Sequence, residues 1–310
     1  MRILVTGMTG AVGGQLTPCL IAGGHQVRGL TRANPAQLPA TFAGEVELLQ
    51  GDVVSGVGLR SALAGVDVAY YLVHSMEPAA GARFDAHEQM GARNFARAAR
   101  RAGVRRIVYL GGLVPADEQQ ISAHLRSRLE VERLLMAAVP DSVALRASIV
   151  VGPRSRSFRF LVRLVERMPV LLIPAWREHR TAPVDERDVV ACLVAAADSD
   201  SVAGRSLDVA GPDVLSYGEL IERIRDLMLL DRPVLNLRQL TLTPVASRVS
   251  ALIAGEQHAL IGPLMEGLRT DLLPRSPLAS QVLDLRLHSL DAAIERALRE
   301  WERTEPLQAR

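Results

Sequence analysis

The chain has 310 residues, 48% of them hydrophobic, a formal charge of +2 and no lysine, so that all 36 of its basic side chains are arginines. That length and apolar content suit one large α/β domain, or one with a small lobe, and the arginines are spread along helix-compatible stretches, so no nucleic-acid partner is implied. Cys19 and Cys192 lie far apart without metal-ligand spacing, no apolar run reaches membrane-spanning length, and a strand begins at once, so no metal site, disulfide, membrane span or leader is expected and the expected address is cytoplasmic.

Residues 3–5 read as a buried strand running into glycines at positions 7, 10 and 13 and then a helix-compatible stretch. Gly7 allows the tight turn, Gly10 lets backbone approach a pyrophosphate, and Gly13 lets the helix pack closely on the sheet. Thr9, Ala11 and Val12 complete this candidate dinucleotide site on the helix N-terminus. The glycine spacing alone also describes an ordinary strand-turn-helix connection, and the strands that follow favour the cofactor reading. Residues 25–30 form the second expected strand, which ends in Thr31-Arg32 where an NAD site usually carries Asp or Glu. A guanidinium there suits the 2′-phosphate of NADP(H); the alternative is a solvated or adenine-stacked Arg32. The third expected strand, 46–50, ends in Gly51-Asp52-Val53, an edge at which Asp52 can accept from the adenine amino group.

Residues 65–73 read as a fourth strand, 84–103 as a long helix carrying Asn94, 106–110 as a fifth strand, 121–138 as a helix and 142–151 as a sixth strand. This alternation predicts an α/β fold with a Rossmann-type doubly wound parallel sheet. After Gly152-Pro153 the pattern turns irregular and rich in Arg and Pro, as when a chain leaves the core to build a smaller substrate lobe. Residues 184–197 look helical, 205–210 like a late strand, and 217–229 like a helix capped by Ser216 with Glu219 in its first turn. Several prolines follow from about residue 232, then a helix over 289–301. The expected division is a core at 1–153 and, over 154–310, a substrate lobe with a C-terminal extension, 184–210 returning to the core.

Four segments carry a family resemblance: Thr-Gly-Met-Thr-Gly-Ala-Val-Gly (6–13), Tyr-Tyr-Leu-Val-His-Ser-Met (70–76), Arg-Ile-Val-Tyr-Leu-Gly-Gly-Leu (106–113) and His-Leu-Arg-Ser-Arg-Leu-Glu-Val (124–131). Together they resemble the atypical short-chain dehydrogenase/reductases, in particular the NmrA-like and complex I accessory-subunit-like branch with an extra C-terminal segment. Short-chain reductases usually rest on a Tyr, a Lys four residues later and a Ser at the end of the fifth strand. Tyr moves the proton that accompanies hydride transfer, and Lys lowers the Tyr pKa and holds the nicotinamide ribose.

A chain without lysine cannot form that dyad. At the corresponding place stand His124 and Arg128 with Ser127 between them, and Gly111 and Gly112 occupy the position of the Ser. The i, i+4 spacing puts His124 and Arg128 on one helix face. His124 is then a candidate proton donor near neutral pH and Arg128 a permanently charged ribose clamp; alternatively His124 is a helix-surface residue and Arg128 only a clamp. The resemblance also implies that His74 and Ser75 lie beside the nicotinamide ribose and that Gly111 and Gly112 leave space over the ring. It marks 181–190 as the segment that brings the chain back, with Asp188 more a helix N-terminal residue than a substrate contact. Arg154, Arg156 and Arg159 suit an anionic substrate or a solvated loop equally.

The function implied is NADPH-dependent hydride transfer to a small organic molecule, a carbonyl, conjugated alkene, imine or quinone. The branch also holds cofactor-binding proteins that do not catalyse, so a non-catalytic NADP(H) sensor or scaffold is the rival. The expected protein is a monomer or homodimer whose partner is a small-molecule substrate.

Overall fold

The computed structural model describes residues 1–34, 44–73, 81–116, 121–237 and 270–307. The first half alternates β1 (Arg2–Thr6), α1 (Ala11–Ala22), β2 (Gln26–Thr31), β3 (Val46–Gln50), α2 (Leu59–Leu63), β4 (Val68–Tyr71), α3 (Gly81–Ala102), β5 (Arg106–Gly112), α4 (Ala123–Met136) and β6 (Val143–Ala147). Then come β7 (Val150–Val151), α5 (Arg156–Arg167), β8 (Leu171–Pro174), β9 (Arg180–Thr181), β10 (Val184–Asp185), α6 (Glu186–Ala195), β11 (Ser206–Val209), β12 (Leu215–Ser216), α7 (Tyr217–Leu227) and β13 (Val234–Leu237). Beyond residue 270 lie α8 (Ala279–Val282) and α9 (Leu290–Glu302).

Seven strands pair in the order β11-β6-β5-β4-β1-β2-β3, all parallel. The chain direction across the sheet reverses between β1 and β4, and in such sheets the ligand crevice opens at the carboxyl ends of the strands on either side of that point. This is a Rossmann-type α/β fold.

The strands alternate cleanly between two cores. Ile3, Val5, Val68, Tyr70, Val108 and Leu110 pack with α1 and α6, whereas Leu4, Ala69, Tyr71, Ile107 and Tyr109 pack with α2, α3 and α4. A period of two with both faces apolar is what a central parallel strand requires. On α3 the buried residues Ala92, Phe95, Ala96 and Ala99 fall at helical spacing, one stripe against the sheet. A third core forms around α5, α7 and α9, with Phe158, Trp176, Tyr217, Ile294 and Trp301 inside it.

Two boundaries differ from the sequence expectation for a clear local reason. Residues 142–151 divide into β6 and β7, because Ser148 donates its N–H to Val209 O at 2.9 Å and Val150 then pairs with Val184 of β10. Residues 184–185 extend as a strand before α6 starts, since the Asp185 carboxylate caps the helix by accepting from Arg187 N at 2.8 Å. The late strand β11 joins the sheet beside β6 as its seventh member.

Candidate functional site

The glycine turn joins β1 to α1, and its three glycines do three different things. Gly7 has φ +74°, and a Cβ there would stand 2.8 Å from Leu72 O of the chain leaving β4. At Gly13 a Cβ would stand 2.3 Å from Gly7 O and 2.8 Å from Met8 Cα, so that glycine lets the helix close on its own turn. A Cβ at Gly10 would meet only Gly7 O, at 3.1 Å, and otherwise open space. Thr9 and Gly10 are exposed, while Ala11 and Val12 are half-buried. α1 starts with no side-chain cap and no acid in its first turn, which leaves its leading N–H groups for a ligand. A dinucleotide diphosphate fits this cradle.

At the far end of the crevice, Arg32 is exposed just beyond β2, and its carbonyl accepts from Gln50 Nε2 at 3.2 Å, which joins the ends of β2 and β3. Asp52 turns its carboxylate onto its own loop: Oδ1 accepts from Val54 N at 3.1 Å and Oδ2 from Ser55 N at 3.2 Å. Asn94 of α3 donates to Val53 O and Val54 O at 3.3 and 2.8 Å, and the buried Val53 packs over Gly91. Loop 52–57 is thereby fixed from two sides.

The other end is built by β5 and α4, which starts from Ser122, whose hydroxyl accepts from Leu125 N at 3.2 Å. Arg128 lies under the end of β5, donating to Leu110 O, with its guanidinium carbon 5.6 Å from the centre of the Tyr109 ring. Tyr109 returns its hydroxyl to Arg128 O at 3.1 Å, and burial pushes that phenol up to about 12. His124, one turn earlier, is half-buried. Burial first, and then the Arg128 charge, hold its imidazole down at about 4. The proton donor expected near neutral pH is therefore a neutral ring, because its charged form is penalised on both counts.

The buried Ser127 donates to the buried Glu88 Oε2 at 2.6 Å, across the α3–α4 interface. The room left by Gly111 is taken by the Tyr109 ring, 3.0 Å from where a Cβ would be, and Gly112 faces Leu125 Cδ2 at 3.3 Å. Their lack of side chains serves packing under α4. His74 and Ser75 lie outside the described residues.

Several further residues enter the picture. Arg159, a candidate anion ligand, stacks on Trp301 with 4.1 Å from guanidinium carbon to ring centre and pairs with Glu305 at 2.7 Å, so it belongs to the third core. Asp188 accepts from His288 N at 2.9 Å and pairs with its Nδ1 at 2.6 Å, a structural link that the helix-start pattern does not reveal. Glu88 was invisible in the sequence because its partner lies 39 positions away. Among the described residues, no group of three or more His, Cys, Asp or Glu is placed to hold a metal ion.

Residues 7–148 match the model of a family described as NAD(P)H-binding. They form an NAD(P)H-binding domain. The chain is 31% identical over 193 residues to a ceramide reductase of Caulobacter vibrioides, covering 62% of this chain and 60% of that one. It is 37% identical over 116 residues to a 3β-hydroxysteroid dehydrogenase/Δ5→4-isomerase of Mycobacterium tuberculosis, covering 35% of this chain and 30% of the relative. The matches thus span less than two thirds of these relatives' lengths. A nucleoside-diphosphate-sugar epimerase from Staphylococcus aureus superposes with a TM-score of 0.77 over 95% of this chain and all of its own, at 18% identity, which speaks for the fold alone. Among the described residues, no helix is long and apolar enough to cross a membrane.

Proposed function

We propose that this protein is an NADPH-dependent reductase that delivers hydride to a small organic molecule, with a carbonyl on a largely apolar substrate as the favoured acceptor. The NAD(P)H-binding domain supports the cofactor class, and the names of the two relatives, one acting on ceramide and one on hydroxysteroids, support an apolar carbonyl or alcohol. Arg32, where an acidic ribose ligand is absent, supports NADPH over NADH. Imines, quinones and conjugated alkenes remain substrates of the same hydride chemistry.

The observation that carries the reading is the pair His124 and Arg128 on one face of α4, beside the end of β5. The hydride comes from the bound cofactor. His124, neutral at pH 7, donates an N–H to the oxygen that gains charge, as a neutral imidazole can in an electrophilic role. Arg128 stays charged throughout and holds ribose hydroxyls without moving a proton. The final proton on oxygen then comes from water.

The test is turnover of a panel of ketones, enones, quinones and imines, with NADPH and NADH as alternative reductants. NADPH should be consumed faster than NADH, and His124→Phe, which removes a donor to the developing oxyanion, should lower turnover by roughly 10²-fold with nearly unchanged NADPH affinity. Binding without turnover on any compound would favour the sensor reading instead. Full activity in His124→Phe would remove His124 from the chemistry.

A further inference from the structure

Arg154 lies outside the segment that matches the NAD(P)H-binding family, on the loop between β7 and α5. Its guanidinium nevertheless reaches back to the first turn of α1. Nη2 donates to Ala11 O at 3.4 Å, and a Cβ on Gly14 would stand 2.4, 3.3 and 3.4 Å from Nη2, Cζ and Nη1. Gly14 sits within α1, at a position where a helix ordinarily prefers any other residue but proline, and what its missing side chain accommodates is this guanidinium.

A helix N-terminus carries partial positive charge and favours anions, yet here it meets a cation. Arg154 is exposed, and among the described residues no carboxylate pairs with it, so its charge is open to a ligand at this turn. Two positive elements held side by side at an exposed turn attract an anion. The same turn is the one whose Gly10 leaves open space for a diphosphate.

We infer that Arg154 is a diphosphate-binding residue, a clasp contributed by the second half of the chain that holds the cofactor's pyrophosphate against α1. The inference rests on the dinucleotide reading of the glycine turn. It assigns Arg154 to neither the 2′-phosphate nor the nicotinamide, so its effect is common to every ligand that carries the diphosphate. Because Arg154 leads directly into α5, whose buried face belongs to the third core, the cofactor would also tie that core's first helix to the Rossmann sheet.

Calorimetric titration of the full chain with NADP⁺, NAD⁺, ADP-ribose and adenosine 2′-monophosphate tests this without any turnover. Arg154→Ala should weaken the first three by a similar factor, about tenfold or more, and leave the monophosphate nearly unchanged, the loss of one charge-assisted contact. Gly14→Ala should weaken the same three ligands by pushing the guanidinium aside, with a melting temperature equal to or above that of the parent. In an Arg154→Ala background, Gly14→Ala should then change affinity no further. Unchanged affinities in Arg154→Ala, or a loss confined to the 2′-phosphate ligands, would overturn the inference while leaving the dinucleotide site intact. Failure of the unaltered protein to bind any of the three diphosphates would overturn the reading beneath it as well.

Discussion

A half-buried imidazole one helical turn from a guanidinium is a group that resists protonation, and His124 shows the consequence in stability as well as chemistry. In an unfolded chain a histidine takes up its proton near pH 6.5, whereas folded His124 does so only near 4. Between those values the unfolded state binds the extra proton, so this residue makes folding stability fall as pH falls from about 6.5 to about 4 and level off below. His124→Phe removes that dependence. Urea unfolding at pH 7 and pH 4 should show the variant gaining on the parent by about 3 kcal/mol across the interval. Equal acid sensitivity in the two proteins would mean that the imidazole is not held neutral. The sequence alone put His124 and Arg128 on one face through their spacing, and that was readable because helical periodicity is local. What buries the ring comes from other elements, and a proton affinity set by desolvation cannot be read from neighbours in sequence. The same distinction holds for Ser127, whose partner Glu88 sits on another helix, and for Arg159, whose partners Trp301 and Glu305 lie near the other end of the chain.

The turn between β1 and α1 shows how one element divides labour among similar residues, and it gives a sharp contrast. A side chain at Gly10 meets only one carbonyl, at 3.1 Å, a distance that a few tenths of an ångström of adjustment relieves. At Gly13 it meets backbone of residues 7 and 8 at 2.3 and 2.8 Å, and backbone at the end of a buried strand has nowhere to go. Gly10→Val should therefore fold with nearly parental stability and lose dinucleotide binding. Gly13→Ala should cost about 1–3 kcal/mol or more by overpacking, seen as a lowered denaturation midpoint before any ligand is added. A stable Gly13→Ala protein, or a Gly10→Val protein that still binds NADP⁺, would show that these roles are assigned wrongly. This element was the most legible part of the chain, since strand, glycine spacing and helix all lie within residues 2–22. The parallel sheet was legible too, through its regular alternation of apolar strands and amphipathic helices. The break between β6 and β7 was not, because it depends on Val209 and Val184, which reach it from later in the chain.

Across the whole molecule, the C-terminal segment joins what the sequence would divide into two lobes. Its path begins at the sheet edge, where Asp208 of β11 accepts from Arg275 N and Ser276 N at 2.6 and 2.7 Å. It continues over α6 through the buried Asp188 and its His288 contacts, and then enters the third core as α9, from which Arg296 reaches back to Glu186 at 2.9 Å. A buried carboxylate stripped of such partners is costly, so these links favour unfolding both regions together over opening one alone. The chain carries a natural reporter for this. Its two tryptophans, Trp176 and Trp301, both lie in the third core, so indole fluorescence follows that region while far-UV circular dichroism follows the whole. In urea the two signals should trace one transition. NADP⁺ at about a hundred times its dissociation constant should stabilise both by about 2.7 kcal/mol, although the glycine turn lies in the other core. A tryptophan transition that NADP⁺ leaves in place, apart from the circular dichroism transition, would show that the third core folds independently and that the contacts of Asp188, Asp208 and Arg296 do not couple it to the cofactor-binding sheet.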